Sequence, residues 1–199
     1  MWQTTLVALR ATVVTLVLTG IVYPVAMTGL AQILFPWQAN GSLITGDAGT
    51  VVGSALIGQA FRSPHYFWPR PSAAGADGYD ATASGGSNLG STSQKLRDRI
   101  GNDLARLKES NPGADGLVPV DLVTASASGL DPHLSPAAAR WQVPRVAAAR
   151  HVSVERVRQV VEAEIEGREL GFFGEERVNV VRLNLALDLR FGRQSAAAR

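Results

Sequence analysis

No charged side chain occurs between Arg10 and Asp47, so 36 consecutive positions, 11 to 46, carry no formal charge. About 20 apolar helical residues cross a bilayer core of about 30 Å. Leu6 to Phe35 meets that length with residues to spare. Trp2 and Trp37 bracket the run as aromatic interface anchors would. Pro36 is the expected stop, and Pro24 inside the run removes one backbone bond, a loss that membrane helices tolerate. Thr12, Thr15 and Thr19, with Gly20 nearby, form a small and weakly polar stripe suited to another helix.

Two other readings compete with a retained span. A buried soluble helix rarely stays uncharged for so long. A cleaved signal peptide fits the short basic start and the small residues at Gly29 and Ala31, but its apolar region usually spans only about 7–15 residues. A single retained span is therefore expected. Arg10 and the amino terminus precede it, whereas the first charge beyond it is Asp47 and the first basic residue is Arg62. The positive-inside bias puts the N-terminus in the cytoplasm and residues from about 40 onward outside.

The chain carries 19 basic and 17 acidic residues, a net charge of +2 that gives no argument for nucleic acid. With no cysteine, disulfide scaffolds and thiolate metal sites are excluded. At 46% apolar composition, there is enough apolar surface to fold the portion beyond the span. The expected organisation is an anchor at 1–37, a mixed domain at 38–190 and a tail at 191–199.

Within that domain, Leu43-Ile44 and Val51-Val52 flank the turn Gly46-Asp47-Ala48-Gly49 and predict a hairpin, with Ala55-Leu56-Ile57 as a further short strand. Residues 61–71 contain three prolines and four aromatic residues, so they form no regular helix. Their aromatics pack internally or dock a partner. From Ser72 to Ser93, 15 of 22 residues are Gly, Ser or Ala, which reads as a linker. Asp77, Tyr79, Asp80 and Asn88 speak equally for an ordered loop. Leu96, Ile100, Leu104 and Leu107 predict a helix over 94–109, and Val118 to Thr124 predicts a strand. Ser135-Pro136 opens a helix that Pro144 is expected to interrupt. Ser153 caps another, with Val154, Val157, Val161 and Ile165 on one face and Gly171 and Gly174 as terminators. From Val181 to Leu189 apolar and polar residues alternate, the period of a half-buried strand. The whole reads as an α+β extracytoplasmic domain anchored by one N-terminal transmembrane helix.

No catalytic constellation emerges. There is no Gly-Lys pair for a phosphate loop and no Gly-x-Ser-x-Gly elbow. His65, His133 and His151 lie too far apart for a helical metal pair, and no metal site is expected. Asp131 and His133 are a candidate acid–base pair, although Asp131 more naturally stabilises a turn ahead of the Ser135 helix. Glu162, Glu164, Glu166 and Glu169 read as a solvated face.

Several stretches occur in the order found in one family. They are Gly53-Ser-Ala-Leu-Ile-Gly-Gln59, Tyr66-Phe67, Arg70-Pro-Ser-Ala73, Ser87-Asn-Leu-Gly90 and Val123-Thr-Ala-Ser-Ala-Ser-Gly-Leu-Asp-Pro-His133. Ser135-Pro-Ala-Ala138, Gln142-Val-Pro-Arg-Val146, Val178-Asn-Val180 and Leu183-Asn-Leu-Ala-Leu-Asp188 continue the order. In this the chain resembles the C chain (KdpC) of the Kdp-type potassium-transporting ATPase, with one departure at Ser91-Thr92-Ser93, where the family usually has a proline-containing stretch. The resemblance implies a non-catalytic subunit of a bacterial inner-membrane pump, with a channel-like potassium chain and a P-type ATPase chain as partners. It also implies a chaperone-like promotion of ATP use. Thr124, Ser126, Ser128 and Gly129 would be the nucleotide contacts, with no firmly bound cofactor and ATP reached only through the complex. An exterior domain conflicts with direct ATP contact, because the bilayer lies between them. The competing class is an anchored or secreted enzyme or binding domain acting alone.

Overall fold

The computed structural model describes residues 1–46 and 49–193, so Asp47 and Ala48 of the expected turn lie outside the described residues, as do 194–199 of the expected tail. The chain divides into two units, Met1–Leu43 and Ile44 onward.

The first unit is helical. α1 (Trp2–Val17) passes through a wider π turn (Leu18–Val22) into α2 (Tyr23–Leu34). These 33 residues are continuous, reach a mean hydropathy of 2.0 over their most apolar 18 residues, and are long and apolar enough to cross a membrane. The π turn ends at Val22, two positions before Pro24. The Tyr23 N–H reaches back to the Leu18 carbonyl, and the widened turn absorbs the bond that proline cannot make. The hydroxyls of Thr12, Thr15 and Thr19 all donate to carbonyls of their own helix at 2.7–2.9 Å. Phe35 leaves helical geometry, as a residue before proline tends to, and Pro36 opens the short α3 (Pro36–Ala39).

The second unit opens with a two-stranded sheet of β1 (Leu43–Thr45) and β2 (Val51–Ser54), as expected. Ala55-Leu56-Ile57 forms no strand, only a tight turn bridged between Ser54 and Ile57. Residues 72–93 hold one 3-10 turn (Ala81–Ala83), yet they are ordered by side-chain bonds rather than free as a linker. The Ser72 hydroxyl donates to the Gly129 carbonyl at 2.6 Å and accepts from the Tyr79 N–H. The Gly85 N–H and the Ser84 hydroxyl both donate to the Ser128 carbonyl.

α4 (Gln94–Ser110) comes next as predicted, capped by Ser93. The strand expected at Val118–Thr124 is instead a 3-10 turn (Val120–Leu122), entered after Pro119 and burying Leu122 and Val123. The Asp121 carboxylate accepts the Ser135 N–H, tying this turn to the next element. β3 (His133–Leu134) leads into α5 (Pro136–Arg150), where the Ser135 hydroxyl accepts the Ala138 N–H as an N-cap. Pro144 does not interrupt α5. An interior proline costs about 3 kcal/mol, but Val143 and Val146 beside it are almost fully buried, and that packing holds the helix together.

α6 (Val154–Ala163) buries Val157, Val160 and Val161 but stops at Glu164, well short of Gly171. Ile165 belongs to β4 (Ile165–Glu166), which pairs antiparallel with β5 (Arg177–Asn179), and β5 pairs with β3 on its other side. The clearest correction concerns the C-terminus. The alternating segment is a helix, α7 (Val180–Phe191), not a strand. Its buried residues Val180, Leu183, Asn184 and Leu187 satisfy helical spacing, while Leu189 is 72% exposed. Leu favours helix over strand, and Asn179 caps the start by accepting the Val181 and Arg182 N–H groups.

One hydrogen-bond arrangement organises this core. The Asn184 amide accepts the Phe67 N–H at 2.8 Å and donates to the Phe67 carbonyl at 3.0 Å. Gln142 treats Trp68 in the same way, at 2.8 and 3.1 Å. The proline-rich segment lacks a strand partner, so two side-chain amides replace the ladder. Arg145 adds bonds to the Pro64 and Tyr66 carbonyls, to Asn111 and to Gln142, and its guanidinium lies 4.1 Å from the Trp68 ring centroid. Burial draws its pKa down to about 9, so it remains a cation at neutral pH. Arg150 joins the His65 carbonyl to Asp188, whose other oxygen accepts the Tyr66 hydroxyl. The aromatics of 61–71 are thus packed internally.

Candidate functional site

The turn after Leu122 folds over the start of β3 and meets Arg70 from the proline-rich segment. Arg70 donates to the Thr124 carbonyl at 3.3 Å and to an Asp131 carboxylate oxygen at 2.9 Å. The other Asp131 oxygen accepts the His133 N–H at 3.0 Å, with the His133 ring at 3.4 Å. Burial alone would raise the Asp131 pKa, but these bonds and the Arg70 charge outweigh it and hold the carboxyl below its ordinary range. The Tyr79 hydroxyl donates to the Arg70 carbonyl at 2.8 Å, and burial pushes its pKa well up.

Two shallow grooves share the Arg70–Asp131 pair. One, of about 510 Å³, is lined by Leu56, Ile57, Ser126, Ser128 and Leu130. The other, of about 450 Å³, runs past Asp121, His133 and Glu175.

The four residues singled out from the sequence fall in this turn, and three of them have structural work there. The Thr124 hydroxyl donates to the Val120 carbonyl. The Ser128 hydroxyl accepts the Leu130 N–H, and its carbonyl holds the 84–85 segment. Gly129 has φ +70°, and a Cβ there would sit 2.7 Å from Ala74 Cβ and 2.8 Å from the Gly85 carbonyl oxygen. Ser126 is 8% exposed on the groove wall. Asp131 stabilises the turn ahead of the Ser135 cap while held by Arg70. Among the described residues no three His, Cys, Asp or Glu side chains are grouped to hold a metal ion.

Of the four glutamates read as a solvated face, Glu162, Glu166 and Glu169 also form ion pairs at the surface. Arg140 and Glu162 meet through two bonds of 2.7 Å, and Arg177 bridges Glu166 and Glu169. Arg70, Tyr79, Gln142, Arg145 and Asn184 have no role that sequence reasoning assigns. Polar residues at helical spacing inside apolar helices, as Gln142 and Asn184 are, were the available signal.

Comparison with known proteins places this scaffold. Residues 5–189 match the family described as "K+-transporting ATPase, c chain" (KdpC). A potassium-transporting ATPase KdpC subunit of Myxococcus xanthus is 64% identical over 96% of this chain and 90% of its own length. One of Rhodospirillum rubrum is 59% identical over 87% and 89%, and one of a Janthinobacterium species 54% identical over 86% and 90%. By this near-full-length agreement, running from the apolar helix to the end of α7, the chain belongs to the KdpC family.

Proposed function

We propose that this chain is a non-catalytic subunit of an ATP-driven potassium-uptake pump of the bacterial cell membrane. It is held there by α1–α2, with its N-terminus in the cytoplasm and the mixed domain on the outer face. Its partners are a channel-like chain that carries potassium and a P-type ATPase chain that hydrolyses ATP. The observation that carries this reading is the near-full-length match to subunits named for that pump. The centre of the grooves supports an accessory role, because Arg70 and Asp131 are bonded to each other and to the backbone.

The domain stabilises the assembled pump or tunes access at the potassium entrance. An exterior domain is separated from cytoplasmic ATP by about 30 Å of hydrocarbon, so promotion of ATP use passes through the span and its partner helices. Direct nucleotide contact at Thr124, Ser126, Ser128 and Gly129 is the second reading, favoured by Ser126 and Ser128 lining one groove. Detergent purification tests the main reading. The chain co-purifies with two larger membrane chains, whereas an anchored enzyme acting alone does not. A Ser126→Ala/Ser128→Ala variant of the assembled pump keeps its ATP affinity, and a loss of affinity would favour direct contact.

A further inference from the structure

Outside the groove, the most exposed apolar cluster of the folded unit is the turn between β4 and β5. Leu170 is 83% exposed, Phe172 63% and Phe173 57%. Five uncharged residues, Leu170 to Gly174, stand between Glu169 and Glu175. Free apolar tips are usually mobile, but this one is built. The Glu169 and Phe173 backbones exchange both hydrogen bonds at 2.9 Å, and the Gly171 N–H donates to the Arg168 carbonyl. The two phenyl centroids lie 4.2 Å apart. Ion pairs brace the base, Arg177 to Glu169 at 2.8 Å and Arg168 to Glu175 at 2.6 Å. Leu170 adopts φ +53°, a conformation that costs a leucine about 1–2 kcal/mol. A strained, braced and solvent-facing leucine beside two phenylalanines is a feature that packing within the domain does not require.

We propose that this tip is a preformed docking knob that seats in an apolar, basic-rimmed pocket on another chain of the pump. The choice of a protein over the bilayer rests on charge. Within the hairpin 165–177 that carries the knob, four glutamates (166, 169, 175 and 176) stand against Arg168 and Arg177, a net charge of −2. Anionic headgroups repel such a rim, whereas lysines and arginines around a protein pocket complement it. The groove of about 450 Å³ begins at the knob's base, where Glu175, Glu176 and Arg177 line it. An apolar centre ringed by paired charges is the anatomy of a binding hot spot. Three residues bury too little area to hold two free proteins together. For a chain already tethered in the same complex, the effective concentration is about millimolar and a small contact suffices.

This inference rests on the proposed pump-subunit role, and the test separates the two. A photo-reactive benzoyl-phenylalanine replaces Phe172 in the full pump in native membranes, and the cross-linked product is mapped. The expected product joins position 172 to another pump chain within reach of lysines or arginines. A Leu170→Ser/Phe173→Ser background lowers its yield by about tenfold or more while the chain still co-purifies. The conservative Phe173→Leu background retains the product. Cross-links to lipid, to a second copy of this chain, or to nothing in a co-purifying pump overturn the knob alone. Failure to co-purify overturns the pump-subunit reading with it.

Discussion

Replacing Asn184 with leucine tests the hydrogen-bond logic of the domain. The substitution keeps the Cγ-branched shape of the side chain at a buried α7 position but removes both bonds to Phe67. Asn184 is 2% exposed and Phe67 0%, so neither the Phe67 N–H nor its carbonyl can turn to water. Each buried group left unpaired costs about 1–3 kcal/mol, or about 4 kcal/mol for the two. In a unit of about 150 residues, 1 kcal/mol moves Tm by about 2–4 °C. Asn184→Leu therefore lowers Tm by about 8–16 °C, read from near-UV circular dichroism of the full chain in detergent. Leu189→Ala, on the exposed face of the same helix, moves it by at most about 2 °C. Gln142→Leu acts on the adjacent Trp68, and the double variant loses less than the sum because both amides hold one segment. An Asn184→Leu drop below about 3 °C would refute the claim that side-chain amides replace a strand partner.

Two further predictions concern the 124–133 turn. Gly129→Ala meets backbone and Cβ atoms at 2.7–2.8 Å in a left-handed conformation, so it destabilises by about 2–5 kcal/mol. Gly90→Ala, with no atom within 4 Å of its new Cβ, is nearly neutral, and paired chemical melts read both. For Asp131, the folded pKa lies below the unfolded one, so its stabilisation is present above the unfolded value and disappears as pH falls through the folded value. The Tm gap between the native chain and Asp131→Asn is therefore full at neutral pH and closes as pH falls below about 4. A gap unchanged down to pH 2 would contradict the Arg70–Asp131 pairing.

How far the fold could be read from sequence depended on whether local signals had competitors. The uncharged run, the Ser135 cap and the helically spaced apolar residues of α4 had none, and the structure has each of these elements where expected. α7 did. Its letters satisfy a period of two and a helical spacing together, and only the Asn179 cap and the buried contact to Phe67 decide between them. Pro144 was misleading for the same reason, since tertiary packing outweighed a local propensity. For the glycine- and serine-rich stretch at 72–93 linker and ordered loop read equally well, because its order comes from Ser72, Ser84 and Gly85 bonding to a turn more than 40 residues away. At the candidate site, the 124–129 residues were visible as a motif, but Arg70 became its counterpart only through folding.

The most direct test of the account uses the absence of cysteine from the sequence. Leu117 is 92% exposed, so Leu117→Cys supplies a single reactive thiol on the mixed domain. With the domain outside, a membrane-impermeant maleimide labels this thiol in intact spheroplasts as fully as in lysed ones. Labelling that appears only after lysis would place the domain in the cytoplasm, within reach of ATP, and contradict the account.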